Sequence, residues 1–330
     1  LEKKVEINFI SSNINLNRGS YRIHIRDLND YFNQCYFNSS INNNKFSDVG
    51  ILDKGLTTDV SNSRIVGLIT PNLENNQQIK NADFCIVGSV EEKESLIPFN
   101  KNVFIFPQIE RSYLNKTQKK HTTKEVIRLG YHGNPNHLNH FSLGLNFALE
   151  KISTNYNIEL VIFKSTLSSI SDWVTEKPNI PIKYIDFNLK TFSSNIYNID
   201  IGLVPNISEF SVGKQKEYFQ EGIYSSDFKI RFKNKSNIGR ALVLIQHGIP
   251  VICDITPSNM SIFHNPNNGY AVLSEDGWYN AIESLIDHKE RNRVAKNAYE
   301  QYLKLYNPIY WAKDLHQKIN KVYFNRKCMV

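Results

Sequence analysis

Cysteine is scarce in this 330-residue chain, and the little there is lies scattered. Cys35, Cys85, Cys253 and Cys328 form no Cys-x-x-Cys pair, which argues against a thiolate metal centre or a disulfide framework and for reduced thiols in a cytoplasmic setting. No apolar run approaches the ~20 residues that span a bilayer. The opening LEKKVEINFI does not follow a signal-peptide pattern. The glycine-rich dinucleotide fingerprint is missing too. Basic residues are spread along the chain, with no motif that interleaves them with stacking aromatics, so nucleic acid is not an expected partner.

What is present can build real cores. Hydrophobic residues make up 41% and aromatics 12% of the chain, which excludes global disorder. The length suits two domains. A net charge of +7 favours anionic partners such as nucleotides, phosphates or an anionic membrane face.

Strand-like and helix-like segments alternate. VEINFI (5–10) reads as a first strand, then a loop with Asn15, Arg18, Gly19 and Ser20, then an amphipathic helix from about Tyr21 to Phe32. In doubly wound α/β domains such a loop lies at the sheet's carboxyl edge, where ligands bind. Arg22, in that helix's first turn, either faces a bound anion or is a surface arginine. Short strands follow at 49–52, 65–69, 84–87 and 102–107. Asp53, at the end of one, is the carboxylate best placed to act as a general base, or else a turn cap. The polar stretch 111–125 reads as an interdomain linker.

A second α/β unit starts at 126–131 and continues through strands 158–163, 182–187 and 199–206, with a helix around Trp173. Within it, His132-Gly133-Asn134 ends a strand. Gly133 permits close approach of a ligand to the backbone, with His132 donating a hydrogen bond or capping the next helix. His132, His137 and His140 lack the fourth donor that zinc ordinarily requires. Residues 207–227 read as a long loop or short helices. Two helices are expected from Asp276 to about Leu305, and a basic final helix after Trp311 that packs back on the first domain or leans on an anionic membrane.

The chain is organised around 228–254. Phe228, Ile230 and Phe232 alternate with Lys229, Arg231, Lys233 and Lys235, as a strand's period of two requires. Ser236 or Asn237 supplies an N-cap, Ile238, Ala241, Leu242 and Ile245 follow at helical spacing, and Gly248 marks the stop. Cations running into a helix N-terminus can hold an anion, because the first backbone N–H groups lack intrahelical partners. Asn237 and Arg240 share one face there. The alternative is a solvated basic edge before a core helix.

The order of parts resembles the GT-B-type glycosyltransferases, at motif level mainly over Lys235–Cys253, with echoes at Asn15–Arg22, Gly130–Asn134 and Asp200–Pro205. The resemblance implies two Rossmann-like domains facing each other across a cleft. An acceptor-side domain would span 1–118, with helix 310–330 packed on it, and a donor-side domain 119–309. The glutamate-x7-glutamate pair of the large retaining branch would fall at Lys235 and Val243, where this chain has neither. Lys235-Ser236-Asn237-Ile238-Gly239-Arg240 looks more like branches with a Lys and an Asn before the helix.

The implied activity is metal-independent transfer of a sugar from a nucleotide-sugar to a glycan or lipid-linked acceptor, in surface polysaccharide assembly. No Asp-x-Asp motif of metal-dependent glycosyltransferases occurs, and no cofactor is expected. Lys233, Lys235, Ser236, Asn237, Arg240, Gly133 and Asn134 would bind the donor diphosphate, with His132 and Asp53 as the candidate catalytic groups. A nucleotide-sugar epimerase and an inactive nucleotide-sugar-binding protein on the same scaffold are the alternatives.

Overall fold

The structure, a computed structural model, describes residues 5–72, 75–133, 138, 144–164, 177–209, 230–232 and 237–327. Asn134, Lys233, Lys235 and Ser236 lie outside the described residues, as do His137, His140, the stretch around Trp173 and most of the loop read at 207–227. The chain forms two compact units. Unit 1 comprises Leu1–Lys116, Asn237–Val243 and Gln301–Val330, and unit 2 comprises Thr117–Ser236 and Leu244–Glu300.

In unit 1, β1 (Glu6–Ile10) leads through a π-helical segment (Ser20–Asp27) into α1 (Leu28–Gln34), then β2 (Asn38–Ile41), β3 (Ser47–Leu52) and β4 (Ser63–Ile69). After these come α2 (Asn76–Asn81), β5 (Phe84–Val87), α3 (Val90–Leu96) and β6 (Val103–Ile105). The six strands form one sheet in the order β2-β1-β3-β4-β5-β6, and every pairing is parallel. Strands covered on both faces read as continuous apolar runs, which is why FCIV and IVGLI are legible as strands. Ile7, Phe9, Val49, Ile51, Ile65, Phe84 and Ile86 share a core with Ile25, Leu28, Tyr31 and Phe32. Ser89 caps α3 by accepting from Glu92 N at 3.1 Å, while Glu92 Oε2 reaches back to Gly88 N at 2.6 Å, a reciprocal arrangement of the capping-box kind.

Unit 2 opens with β7 (Ile127–Gly133), α4 (Leu145–Ser153), β8 (Ile158–Lys164), β9 (Ile182–Asp186), α5 (Leu189–Ile196) and β10 (Ile201–Val204). The pair β11 (Ile207–Glu209) and β12 (Ile230–Phe232) is antiparallel and forms a separate two-stranded sheet. Of the alternating stretch, the described residues Ile230–Phe232 thus belong to this ribbon and not to the main sheet. Next in the chain come α6 (Gly239–Gln246), whose start to Val243 belongs to unit 1, then β13 (Val251–Asp254), α7 (Met260–Phe263), β14 (Tyr270–Val272), α8 (Glu275–Ser284) and α9 (His288–Leu305), whose end from Gln301 returns to unit 1. The main sheet runs β14-β13-β10-β7-β8-β9, again wholly parallel. Leu129, Tyr131, Leu160, Ile162, Ile201 and Leu203 meet Leu145, Leu149, Trp278 and Ile282 in its core.

Part of the stretch read as a linker is built into unit 2. Lys119 N donates to His247 O at 3.0 Å, Lys119 Nζ donates to Asp200 Oδ1 at 2.9 Å, and His121 N donates to Asn292 Oδ1 at 2.9 Å. Polarity in that stretch reflects internally satisfied groups as well as solvent-facing ones, a distinction composition cannot draw.

The chain ends in α10 (Pro308–Lys327). Ala312, Leu315, Ile319 and Tyr323 enter the unit 1 core, and Tyr323 OH donates to Asp48 Oδ1 at 2.7 Å. Among the described residues no helix is long and apolar enough to cross a membrane.

Candidate functional site

In an open parallel sheet, ligands settle beyond the carboxyl ends of the strands where strand order reverses. The unit 1 sheet reverses between β1 and β3. The register pairs Ile10 with Leu52, so Ser11 and Asp53 leave the two strands side by side. Ser11 Oγ donates to Asp53 Oδ2 at 2.7 Å, and Lys54 N donates to Asp53 Oδ1 at 2.7 Å. Asp53 is buried and lines a small cavity of about 50 Å³ with Lys54, Gly55, Pro71 and Asn72. Its two hydrogen bonds make it a positioned carboxylate and, through Lys54 N, a turn cap.

His24 and Thr70 join this edge, and neither was singled out from sequence. His24 Nδ1 lies 3.3 Å from Thr70 Oγ1. Desolvation lowers the His24 pKa to about 4, against the opposing pull of Asp53 and with a smaller push from Lys54. The ring is thus neutral near pH 7. Thr70 adopts φ +41°, an outlier for a β-branched residue, while its N–H still bonds Ile86 O at 2.8 Å. Such strain persists only where neighbours over-determine it, and it gathers at ligand sites. The available signal was a Thr-Pro dipeptide at a strand end, with a histidine on the helix after the first strand.

The loop after β1 is a string of small turns. Arg18 N donates to Asn15 O at 3.0 Å and Arg22 N to Arg18 O at 3.0 Å. Asn15 and Arg18 are exposed, with Gly19 and Ser20 half-buried. Arg22 is not the surface arginine of the alternative reading. It is buried, ion-paired with Glu110, and donates through Nη1 to Leu16 O at 2.6 Å. A charge this deep is retained only when paired, so Arg22 fixes the loop's base.

Unit 2 reverses strand order between β7 and β10. His132 and Gly133 end β7, and Gly133 has φ +138°, where a side chain would be strained. The half-buried His132 ring meets Phe192 edge-on at 5.7 Å between centroids. Gly133 pairs in register with Lys164 of β8, whose ammonium lies 3.6 Å from Asp186 Oδ1. This strand-end cation was also missed in the sequence, where it closes the run IELVIFK. Beyond β10, Asn206 N donates to Asp254 Oδ2 at 2.5 Å, tying two neighbouring strand ends. Asn237 Oδ1 accepts from Gly239 N at 3.0 Å, as an N-cap should. Arg240 follows, half-buried, in the first turn of α6. The structure thus brings together His132 with Gly133, Asn237 with Arg240, and Asp53 with Ser11 and His24. Among the described residues no group of three or more His, Cys, Asp or Glu is placed to hold a metal ion.

No protein-family model and no curated protein matches the chain. Solved structures do. HepE of Anabaena, in complex with UDP and glucose, is similar over 96% of this chain and 100% of its own, at TM-score 0.61 and 11% identity. An α-glucosyltransferase in complex with UDP and a 13-mer DNA containing an HMU base covers the same shares at 0.58 and 11%. TarM of S. aureus, in complex with Fondaparinux, α-GlcNAc-glycerol and UDP, gives 0.57 and 12% over 83% of this chain. The match covers only 55% of the TarM chain. Two parallel six-stranded α/β units of this kind are the GT-B fold.

Proposed function

We propose that the chain is a glycosyltransferase of the GT-B type that moves a sugar from a nucleotide-sugar to a glycan or lipid-linked acceptor, in the assembly of a surface polysaccharide. One observation carries the reading: the end-to-end likeness of both α/β units to a protein whose structure holds UDP and glucose. The strand-end placement of His132, Gly133 and Asp53 supports it, because that is where such sheets bind ligands.

Donor cleavage builds negative charge on the departing diphosphate. The N-terminus of α6, Arg240 and Lys235 would stabilise that charge, with Lys233, Ser236 and Asn134 as further diphosphate contacts. Gly133 would let the donor approach the β7 backbone, and His132 would donate to it near the reacting carbon. Unit 1 would hold the acceptor. Asp53, oriented by Ser11, supplies a fixed carboxylate there. The reading needs no metal ion, since the cations and helix terminus supply the charge, and it places the enzyme in the cytoplasm or at the membrane's inner face.

The test is a thermal-shift screen across UDP-, GDP-, CMP- and dTDP-sugars, followed by detection of nucleoside diphosphate release with an acceptor panel. One nucleotide should raise the melting temperature by mass action. Acceptor-dependent release is expected. A sugar interconverted without acceptor would instead reveal an epimerase. The non-glutamate residues Lys235 and Val243 favour a second reading, a protein that binds nucleotide-sugar without turnover. Binding with no release across the panel would establish it.

A further inference from the structure

At the opposite edge of the unit 1 sheet, where β5 and β6 begin, α10 leaves an open recess of about 610 Å³. Lys318, Lys321 and Arg326 line it from the helix, and Asp83, Asn102 and Phe104 from the strand starts. The volume falls within the range of small-molecule sites. Neither the strand-end residues of unit 1 nor those of unit 2 take part.

The lining is fixed where it should be and spare where a ligand would bind. Asp83 Oδ2 accepts from Val66 N at 2.7 Å, and Asn102 Nδ2 donates to Asp83 O at 2.9 Å. Phe104 stacks on Phe84 with centroids 6.0 Å apart. Arg326 is ion-paired with Asp83 through Nη1, while a guanidinium carries five N–H donors in all. Lys318 rests on Asp314 at 2.6 Å. The exposed Lys321 has no carboxylate partner among the described residues.

Three cations thus meet two carboxylates, Asp83 and Asp314, which leaves one positive charge in surplus at the recess. A phosphate monoester brings negative charge and three acceptor oxygens, which take up that surplus and the N–H donors that Arg326 and the two lysines keep beyond their carboxylate contacts. The Phe104 ring and Val322 offer an apolar wall for the ester's carbon portion. A simple carboxylate brings two acceptor oxygens to these donors, where a phosphate monoester brings three.

We propose that this recess is a binding site for a phosphate ester, either free in solution or presented as a lipid headgroup. The proposal does not depend on the glycosyltransferase reading. The test uses the full chain in two arms. One titrates glycerol 3-phosphate calorimetrically; the other measures co-sedimentation with phosphatidic acid–phosphatidylcholine vesicles against pure phosphatidylcholine. The double variant Lys318→Ala/Lys321→Ala is compared with Lys296→Ala, an exposed lysine on α9, after matched melting curves establish that both fold.

Binding in at least one arm, weakened on the order of tenfold by the double variant and unchanged in Lys296→Ala, is the expected result. The arm that responds names the source. No binding in either arm overturns the site. So does binding that survives the double variant, since the phosphate would then be held elsewhere, or that Lys296→Ala weakens equally. Because the nucleotide-sugar thermal shift is read separately, failure here leaves the proposed function untouched.

Discussion

The Ser11 hydroxyl donates to the Asp53 carboxylate at 2.7 Å, across the point where the unit 1 sheet reverses its strand order. Both residues are buried. A hydrogen bond to a buried charge contributes about 1.5–3 kcal/mol. Ser11→Ala should lower unfolding free energy by about that much in urea titrations. Asp53→Asn keeps the shape but removes the charge, so it should reduce acceptor-dependent turnover at least tenfold with a smaller effect on urea stability.

Histidine burial predicts acid sensitivity. His121 is 1% exposed. Its Nε2–H donates to Gly248 O at 2.9 Å, and its Nδ1 has no partner among the described residues. Desolvation lowers its pKa to about 4. His24 and His316 are lowered to about 4 in the same direction, also by desolvation. The unfolded chain binds these protons near 6.5 and the folded chain does not, so the stabilisation is complete above pH 6.5 and declines as pH falls toward 4. For His121 alone the loss is about 3 kcal/mol by pH 4. Urea midpoints taken at pH 7, 6 and 5 should fall in sequence, and His121→Gln should flatten the slope.

The stop after α6 should tolerate no side chain. Gly248 has φ +73°. Gly248 N bonds Ile245 O at 3.0 Å and Ile249 N bonds Leu244 O at 3.1 Å, the paired bonds of a Schellman motif. A Cβ at Gly248 would lie 2.6 Å from Lys119 N. Gly248→Ala combines a strained φ with that collision and should cost about 2 kcal/mol or more, read as a lower melting temperature.

Donor recognition can be dissected by variant and by chelation. Lys235→Ala and Arg240→Ala should each weaken nucleotide-sugar binding about tenfold, whereas His132→Ala should reduce turnover more than affinity. Isothermal titration and initial rates separate the two effects. Turnover should persist in EDTA; its loss on chelation, with recovery on adding a divalent cation, would contradict the metal-free reading.

Much of the architecture was legible because buried parallel strands leave uninterrupted apolar runs, as in FCIV and IELVIF. Polar or very short strands escaped. β2, with the sequence NSSI, is an edge strand with a single apolar residue, and β14 has only three residues. The site was half legible. Asp53, His132 and Gly133 stand at strand ends, a position that periodicity predicts. His24 and Thr70 acquire meaning only when a helix and a strand end meet, and a positive φ at a threonine leaves no compositional trace. Arg22 misled for the converse reason, since its partner Glu110 lies 88 residues away and long-range pairing is invisible to local pattern.

Thr70 carries one more implication. A left-handed threonine is a conformational debt, held at φ +41° beside His24, and glycine would discharge it. Thr70→Gly should therefore relax the backbone, yet forfeit the hydroxyl that meets the imidazole. A variant that melts no earlier than the parent but turns over more slowly would mark this corner as a place where rigidity was traded for chemistry.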